Sequence, residues 1–125
     1  IRVPAARGEG TRIELRCPDS AANPYLALAV CLQAGLDGIK NQIMPPESID
    51  CNIFELSEEE RKEHLVEMLP GTLQEAINEL EKDEFIRCVL GVHVSEKYIQ
   101  AKQKEWDEYK SQVSDWEVGQ YLYKF

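Results

Sequence analysis

The stretch NPYLALAVCLQAGLDGIK, residues 23–40, joins a helix-start signal to a long apolar segment. Its opening Asn-Pro pair is the usual combination of an N-cap residue and a first helical residue. The residues that follow are apolar almost all round a helix, which predicts a helix over about 24–41 that is buried rather than half exposed. Gly35 and Gly38 weaken this helix locally, and we expect them to let another backbone approach closely.

Downstream of this helix, the sequence indicates a loop and then further helices. Pro45 and Pro46 bar the first helix from continuing into the loop 44–54. Three capping boxes, each a Ser or Thr followed three residues later by Glu, then mark helix starts. They are Ser57 with Glu60, Thr72 with Glu75, and Ser114 with Glu117. A long amphipathic helix is predicted over about 94–112, with an apolar stripe that Lys102 interrupts. The stripe consists of Ile99, Trp106, Tyr109 and Val113.

Upstream of the apolar helix, TRIELR, residues 11–16, alternates apolar and charged side chains. In an extended strand the apolar pair would share one face, while Arg12, Glu14 and Arg16 would share the other. An isolated alternating hexamer is most often the solvated face of a strand. A lone strand is not stable in water, so its partners must come from elsewhere. The predicted fold is therefore mostly α, with one N-terminal strand or hairpin followed by a helical C-terminal region.

The chain has 125 residues, enough for one domain with a single modest core. Its net charge of −9 argues against a nucleic-acid binder, because phosphate backbones require a basic surface. The charge is uneven along the chain. Residues 1–16 hold four arginines against two glutamates, whereas residues 55–84 hold eleven acidic side chains against three basic ones. Arginine is thus concentrated around the alternating segment.

Cysteine usage and hydropathy favour a cytoplasmic protein. The four cysteines form no CxxC pair and neither histidine is next to one, so a zinc site is not expected. Cys31 and Cys88 lie in apolar helical patterns, where a buried reduced thiol is usual. The longest apolar run has 13 residues, too short to span a bilayer. The chain starts at Ile1 and enters a strand almost at once, which suggests a piece of a longer protein.

The charged residues near the N-terminus form the constellation with the clearest chemistry. His64 and His93 lie in charged helical surroundings, and no Walker loop or GxGxxG motif occurs. Arginine presents a rigid fork of donors that suits carboxylate and phosphate oxygens. A carboxylate such as Glu14 among arginines would be held ionised, ready for a hard cation such as Mg²⁺. This combination suits phosphoryl transfer, where catalysis is mainly positioning and charge neutralisation.

Four motifs occur together along the chain: RVP, TRIELR, PDSAANPYL and AGLDGIKN. With the later segments LPGTLQEAINELEKDEFIRCVLGVHV and AKQKEWDEYKSQVSDWEVGQYLYKF, they closely resemble the C-terminal part of the catalytic domain of bacterial type I glutamine synthetase. The resemblance covers essentially all 125 residues. It implies that residues 1–125 are the C-terminal segment of that domain, and that the strand is part of the catalytic β-sheet of a longer parent chain.

The resemblance implies a role for each charged residue of the segment. Arg2 resembles the family's ligand for the ATP phosphates, and Arg12 matches a position near the nucleotide. Glu14 matches a ligand of an active-site divalent metal, Mg²⁺ or Mn²⁺. Arg16 matches the residue that contacts the glutamate substrate, whereas Arg7 is interpreted as a surface or loop residue.

The resemblance also implies a reaction and an assembly. ATP phosphorylates the side-chain carboxylate of glutamate, and ammonia attacks the γ-glutamyl phosphate to give glutamine. Most of the family's metal ligands and its nucleotide motifs lie upstream, so the piece alone is expected to be inactive. The family forms two stacked hexameric rings, which implies that the parent is a homo-oligomer, a dodecamer of two such rings. Neither nucleic acid nor membrane is expected as a partner. The aromatic tail YLYKF, residues 121–125, is either a frayed end or a segment that docks on another subunit.

Alternatives to this interpretation stay open. Ligases that join glutamate to polyamines or other amines share the fold, and a non-catalytic homologue would use the segment for assembly alone.

The resemblance further implies that Ile13 and Leu15 anchor the strand against the apolar helix. Phe54 stands in NIF, where some family members carry an adenylylated tyrosine, so that modification cannot occur here.

Overall fold

The computed structural model describes residues 1–124, which divide into a unit of residues 1–43 and a second unit that begins at Met44. The fold is mostly helical, as predicted. The α-helices of the described residues are α1 (Pro24–Lys40), α2 (Glu58–Glu63), α3 (Leu73–Lys82), α4 (Glu84–Leu90), α5 (Val92–Lys110) and α6 (Asp115–Tyr121). Short 3₁₀ helices occupy Gly8–Gly10 and Ile53–Glu55. None of the helices found in residues 1–124 is long and apolar enough to cross a membrane.

Helix α1 begins where the Asn-Pro pair predicts. The Asn23 side-chain oxygen accepts hydrogen bonds from the backbone N–H groups of Tyr25 at 3.0 Å and Leu26 at 3.3 Å. These two donors have no partner inside the helix, so the cap satisfies them. The helix ends at Lys40, where the Asn41 N–H donates to the Asp37 carbonyl.

The predicted burial of α1 is wrong for this chain. No residue of α1 is buried, and its exposed large side chains are Tyr25, Leu28, Leu32, Leu36 and Ile39. The physical reason is a lack of cover, because the rest of residues 1–43 contains no second α-helix or sheet to pack on α1. An added Cβ at Gly35 or Gly38 would meet no heavy atom within 4 Å, so no described backbone makes the predicted close approach.

The N-terminal strand is likewise not shown as a strand. The structure has one isolated antiparallel bridge, in which Arg2 N–H donates to the Glu14 carbonyl at 2.9 Å and Glu14 N–H donates to the Arg2 carbonyl at 2.8 Å. In an antiparallel ladder the next pair of this kind would join Pro4 to Arg12. Proline has no N–H to donate, so pairing stops after one bridge. Ile13 and Leu15 remain exposed, and the anchoring predicted for them is not observed.

The second unit confirms the three predicted helix starts. Both halves of the capping box are present at Ser57 for α2 and at Ser114 for α6. At α3 the Thr72 hydroxyl accepts from the Glu75 N–H at 3.2 Å, but the Glu75 carboxylate accepts instead from the Gly71 N–H at 2.7 Å. The third box is therefore half formed, although its helix begins where expected.

Helices α3, α4 and α5 pack against one another and form the small core. Ile77 of α3 is 4% exposed and Ser95 of α5 is 1% exposed. The Ser95 hydroxyl lies 3.0 Å from the carbonyl oxygens of both Gly91 and Val92, which satisfies this buried group. Helix α4 was not predicted separately from α3. Asp83 follows the last residue of α3, and its side chain accepts from the Ile86 N–H at 2.9 Å to cap α4.

Two further details differ from the sequence-based expectations. Helix α5 ends at Lys110, so Val113 of the predicted apolar stripe lies beyond it and is exposed. All four cysteines are free and exposed, so the burial predicted for Cys31 and Cys88 is wrong. Cys31 lies on the uncovered α1, and Cys88 lies on α4, which has no buried residue.

Candidate functional site

Glu14 is the centre of a cluster of charged side chains in the first unit. Its carboxylate forms ion pairs with the guanidinium groups of Arg2 at 3.0 Å, Arg12 at 2.8 Å and Arg16 at 3.0 Å. All four residues were singled out from the sequence, and the structure brings all four together. We call these four residues the arginine–glutamate cluster.

Two features of the backbone assemble the cluster. Arg12, Glu14 and Arg16 are spaced two residues apart, and both arginines reach the glutamate between them, as expected for side chains on one side of an extended segment. Arg2 is twelve residues away and arrives through the antiparallel bridge, which pairs its backbone with that of Glu14. The side-chain ion pair then lies directly beside the backbone pair.

The hydrogen bonds use both carboxylate oxygens of Glu14. Oε1 accepts from Arg12 Nη2 at 2.8 Å and from Arg12 Nε at 3.2 Å. Oε2 accepts from Arg2 Nη1 and from Arg16 Nη2, both at 3.0 Å. An ionised carboxylate offers about four lone-pair sites. Four donor contacts therefore occupy the acceptor capacity of this group.

The arginines keep Glu14 ionised. They hold the pKa of its carboxyl below the ordinary value, through the hydrogen bond from Arg2 first, then Arg12 and Arg16, against an opposing effect of partial desolvation. The Glu14 side chain is 21% exposed, whereas the side chains of Arg2, Arg12 and Arg16 are 59%, 53% and 72% exposed. The carboxylate is thus sheltered beneath guanidinium groups that remain in contact with solvent.

Arg7 lies outside the cluster, in agreement with its interpretation as a loop residue. Its Nη1 donates to the carbonyl oxygens of Pro4 at 2.8 Å and Ala6 at 3.0 Å. Arg12 also makes one contact of this type, to the Gly10 carbonyl at 3.2 Å. These bonds hold the turn that leads into the extended segment.

The sequence did not indicate how Arg2 comes to Glu14. The available signals are Pro4, which ends the pairing, and Gly8, whose φ of +68° lies in the region that glycine tolerates. Together with the 3₁₀ helix Gly8–Gly10 they turn the chain back between Arg2 and Glu14. Pro4 or Gly8 alone does not predict a turn that returns the chain to Arg2, because either residue also occurs in many other loops.

The cluster has the chemistry for both anions and a hard cation. Guanidinium forks match the paired oxygens of carboxylate and phosphate, and an ionised carboxylate is the oxygen donor that Mg²⁺ prefers. Within residues 1–124 no group of three or more His, Cys, Asp or Glu side chains is arranged to hold a metal ion. Glu14 has the oxygen donor that a divalent cation needs, but it would be only one of the ligands of that cation.

Comparison with known proteins agrees with these motifs. The family model "Glutamine synthetase, catalytic domain" matches residues 1–121. The chain is 54% identical over 125 residues to the glutamine synthetase of Clostridium saccharobutylicum, covering 100% of this chain and 28% of that protein. It is 56% identical over 122 residues to the glutamine synthetase of Methanosarcina mazei, covering 98% of this chain and 27% of that protein.

A solved structure is similar as well. The structure titled "Apo GmaS without ligand" matches with a TM-score of 0.70 and 40% identity, over 87% of this chain and 25% of that one. The chain thus spans between 25% and 28% of the length of these three proteins. Since the family model matches nearly the whole chain, the chain belongs to the glutamine synthetase family, in the catalytic domain.

Proposed function

We propose that this chain is the C-terminal segment of the catalytic domain of a glutamate–ammonia ligase. In the reaction ATP phosphorylates the side-chain carboxylate of glutamate, and ammonia displaces phosphate from the γ-glutamyl phosphate to give glutamine. The observation that supports this best is the convergence of Arg2, Arg12 and Arg16 on Glu14. Glutamate, ATP and the acyl phosphate are all anionic, and a set of guanidinium forks neutralises and orients such groups.

Each member of the cluster has a role in this proposal. Arg2 and Arg12 bind the phosphates of ATP, and Arg16 binds the glutamate substrate. Glu14 is a ligand of Mg²⁺ or Mn²⁺, which when bound offsets the negative charge of the phosphates. A metal ligand must be deprotonated at the working pH, and the arginines that lower the pKa of Glu14 keep it in that state.

The proposal includes the setting of the segment. Residues 11–16 act as a strand of the parent's catalytic β-sheet, where neighbouring strands supply the partners that this segment lacks. By itself the segment is inactive, because one carboxylate does not complete a Mg²⁺ site and the remaining oxygens must come from elsewhere. The parent enzyme is cytoplasmic and assembles as a dodecamer of two hexameric rings.

The test is the substitution Glu14→Gln in the full-length enzyme that contains this chain. It preserves the shape of the side chain and removes the charge that holds the cation. We expect glutamine formation to fall about 100-fold or more, with a weaker response to added Mn²⁺. The thermal unfolding midpoint should fall only slightly, because the ion pairs of Glu14 involve exposed arginines and are weak. Glu9→Gln is the matched control, because Glu9 is an exposed glutamate of the neighbouring 3₁₀ helix and lies outside the cluster.

The same assay decides between acceptors. Ammonia is replaced in parallel reactions by methylamine and by a polyamine, and ADP release is measured with each. Faster turnover with an amine than with ammonia would identify a glutamate–amine ligase. Equal activity of Glu14→Gln and the parent enzyme, with equal Mn²⁺ dependence, would refute the metal-ligand role.

A further inference from the structure

Residues 47–69, which we call the acidic segment, carry a large negative charge. The segment holds eight acidic side chains against Arg61 and Lys62. Five of its exposed glutamates have carboxylates that neither accept a hydrogen bond nor form an ion pair within residues 1–124: Glu47, Glu58, Glu59, Glu63 and Glu67. The ion pairs among the described residues of the second unit lie instead on α3 and α5. The charge of the acidic segment is therefore open to a partner.

Helix α2 lies in the middle of the acidic segment. Glu59 and Glu63 are four residues apart on this helix, where like charges repel each other. The helix has six residues, none of them buried, and it is not one of the three helices that form the small core. Cations placed along α2 from outside would remove the repulsion.

Large apolar side chains flank α2 and are exposed. Phe54 precedes the helix and is 92% exposed, while Leu65 and Met68 follow it and are 82% and 75% exposed. Phe54 is held by local hydrogen bonds, because Asn52 Oδ1 accepts from the Phe54 N–H at 3.2 Å and Asn52 Nδ2 donates to Glu55 Oε1 at 2.6 Å. The backbone thus fixes Phe54 while its ring is left in solvent.

The backbone also presents Leu65. Its φ of +54° is left-handed, which is uncommon for a residue with a Cβ. This conformation ends α2, since the Val66 N–H donates to the Arg61 carbonyl at 2.8 Å and the Leu65 N–H donates to the Lys62 carbonyl at 3.2 Å. Glycine would end the helix with less strain. The leucine therefore adds exposed apolar surface that ending the helix does not require.

We infer that the acidic segment is a docking surface for a basic amphipathic peptide segment of another protein. Apolar side chains of the partner contact Phe54, Leu65 and Met68, and its lysines or arginines face Glu59 and Glu63. Helix α2 is about 9 Å long, so a partner that lies along it can reach the apolar side chains at both ends. Apolar anchors surrounded by charged groups are the usual anatomy of such an interface.

Charge selects this partner over other occupants. Nucleic acid and anionic lipid would be repelled by the acidic segment. A second copy that presented the same segment would bring eight further acidic side chains against it, so a symmetric pairing of two segments is disfavoured. The inference goes beyond the proposed function and does not depend on the arginine–glutamate cluster.

The experiment uses synthetic peptides and the full-length enzyme. The probe is a labelled helical peptide about four turns long, with leucine on one face and lysine on the other. One control peptide has glutamate in place of lysine, and a second has serine in place of leucine. Binding is measured by fluorescence anisotropy at low and at high salt. We expect only the leucine–lysine peptide to bind, with a Kd that rises as salt screens the charges.

Variants of Phe54 test the apolar contact. Phe54→Ser should raise the Kd of the leucine–lysine peptide about 10-fold or more, whereas Phe54→Leu keeps an apolar side chain and should retain most of the affinity. Val113→Ser is the matched control, because Val113 is 74% exposed and lies outside the acidic segment. The changed side chains are exposed, so circular dichroism should show that all three variants fold.

Charge variants test the electrostatic contact. A triple change of Glu59, Glu63 and Glu67 to glutamine should raise the Kd about 5-fold or more at low salt and reduce its salt dependence. The matched control makes the same change at three exposed glutamates of α3, α4 and α5, and it should have a smaller effect. These are Glu81, Glu84 and Glu96.

Four results would overturn the inference. If the leucine–lysine peptide does not bind, this class of partner is excluded. If the leucine–glutamate peptide binds equally well, charge plays no part. If Phe54→Ser matches Val113→Ser, or the two glutamate triples match each other, the peptide binds elsewhere. If the peptide does not bind and Phe54→Ser makes the enzyme sediment as a smaller species, the surface is an interface between copies.

Discussion

Gln74 and Gln103 bind each other through both ends of their side-chain amides. Gln74 Nε2 donates to Gln103 Oε1 at 3.1 Å, and Gln103 Nε2 donates to Gln74 Oε1 at 2.9 Å. Each amide also contacts its own helix, Gln74 at Asn78 and Gln103 at Asp107. A reciprocal pair of this kind is satisfied in only one alignment of the two helices, so it sets the register of α3 on α5.

The arginine that we assign to glutamate binding leads to the first prediction. Arg16→Lys in the full-length enzyme retains the charge but loses the planar fork, so kcat/KM for glutamate should fall about 10-fold or more. Arg7→Lys is the control, since Arg7 donates to the Pro4 and Ala6 carbonyls. If Arg16→Lys had the same kinetics for glutamate and for ATP as the parent enzyme, Arg16 would not bind glutamate.

The backbone at Gly91 leads to a prediction about stability. Its φ of +77° and ψ of 152° lie in a region that is essentially restricted to glycine. Gly91→Ala should reduce the free energy of unfolding by about 1–3 kcal/mol, measured by urea denaturation. Gly38→Ala in α1 should raise it by roughly 0.5–1 kcal/mol, because an added Cβ there meets nothing within 4 Å. Equal effects of both substitutions would contradict the assigned strain.

The lowered pKa of Glu14 leads to a prediction about pH. A carboxyl group with a lowered pKa in the folded state stabilises that state above the ordinary glutamate pKa, and the contribution is lost as the pH falls through the lowered value. Carbon-detected NMR of the Glu14 carboxyl should therefore show a midpoint below the ordinary range. Arg2→Gln should raise the midpoint more than Arg7→Gln does, because Arg2 is the largest cause of the shift. If Arg2→Gln left the midpoint of Glu14 unchanged, Arg2 would not be the main cause of the lowered pKa.

The C-terminal tail leads to a prediction about assembly. Tyr121, Leu122 and Tyr123 are exposed, and Phe125 lies outside the described residues. Deletion of 119–125 from the full-length enzyme should weaken stacking of the two hexameric rings that we propose for it, measured by sedimentation velocity.

That deletion also removes the last turn of α6, which ends at Tyr121. A triple change of Tyr121, Leu122 and Tyr123 to serine keeps the length of the chain and should weaken stacking similarly. Lys124→Gln is the control, because it leaves the apolar side chains in place. A triple variant that sediments like the parent would show that the tail does not dock.

Helix starts were predictable because their signals are local. Asn23, Ser57 and Ser114 each cap the helix that directly follows, within three residues of sequence. Helix α4 was missed because Asp83 is at once the C-cap of α3 and the N-cap of α4, so no loop separates the two helices, although an N-cap Asp and the later Gly91 mark the two ends of α4. The burial of α1 could not be predicted, since it depends on which other segments lie over the helix.

Part of the arginine–glutamate cluster was predictable because its spacing is local. The two-residue spacing predicts that Arg12, Glu14 and Arg16 share one face, and in the structure both arginines contact Glu14. The contact between Arg2 and Glu14 joins residues twelve positions apart. It depends on the fold of the whole segment between them, which no single residue determines. The occupied lone pairs of Glu14 follow only from three-dimensional geometry.

The Asp83 junction has a consequence for the order of folding. Because one residue separates α3 from α4, and Gly91 alone separates α4 from α5, the packed helices are consecutive in the chain. Their contacts close short loops, and a low contact order is associated with folding in microseconds to milliseconds. The α3–α5 segment can therefore act as an early folding nucleus, formed before partners from distant sequence arrive.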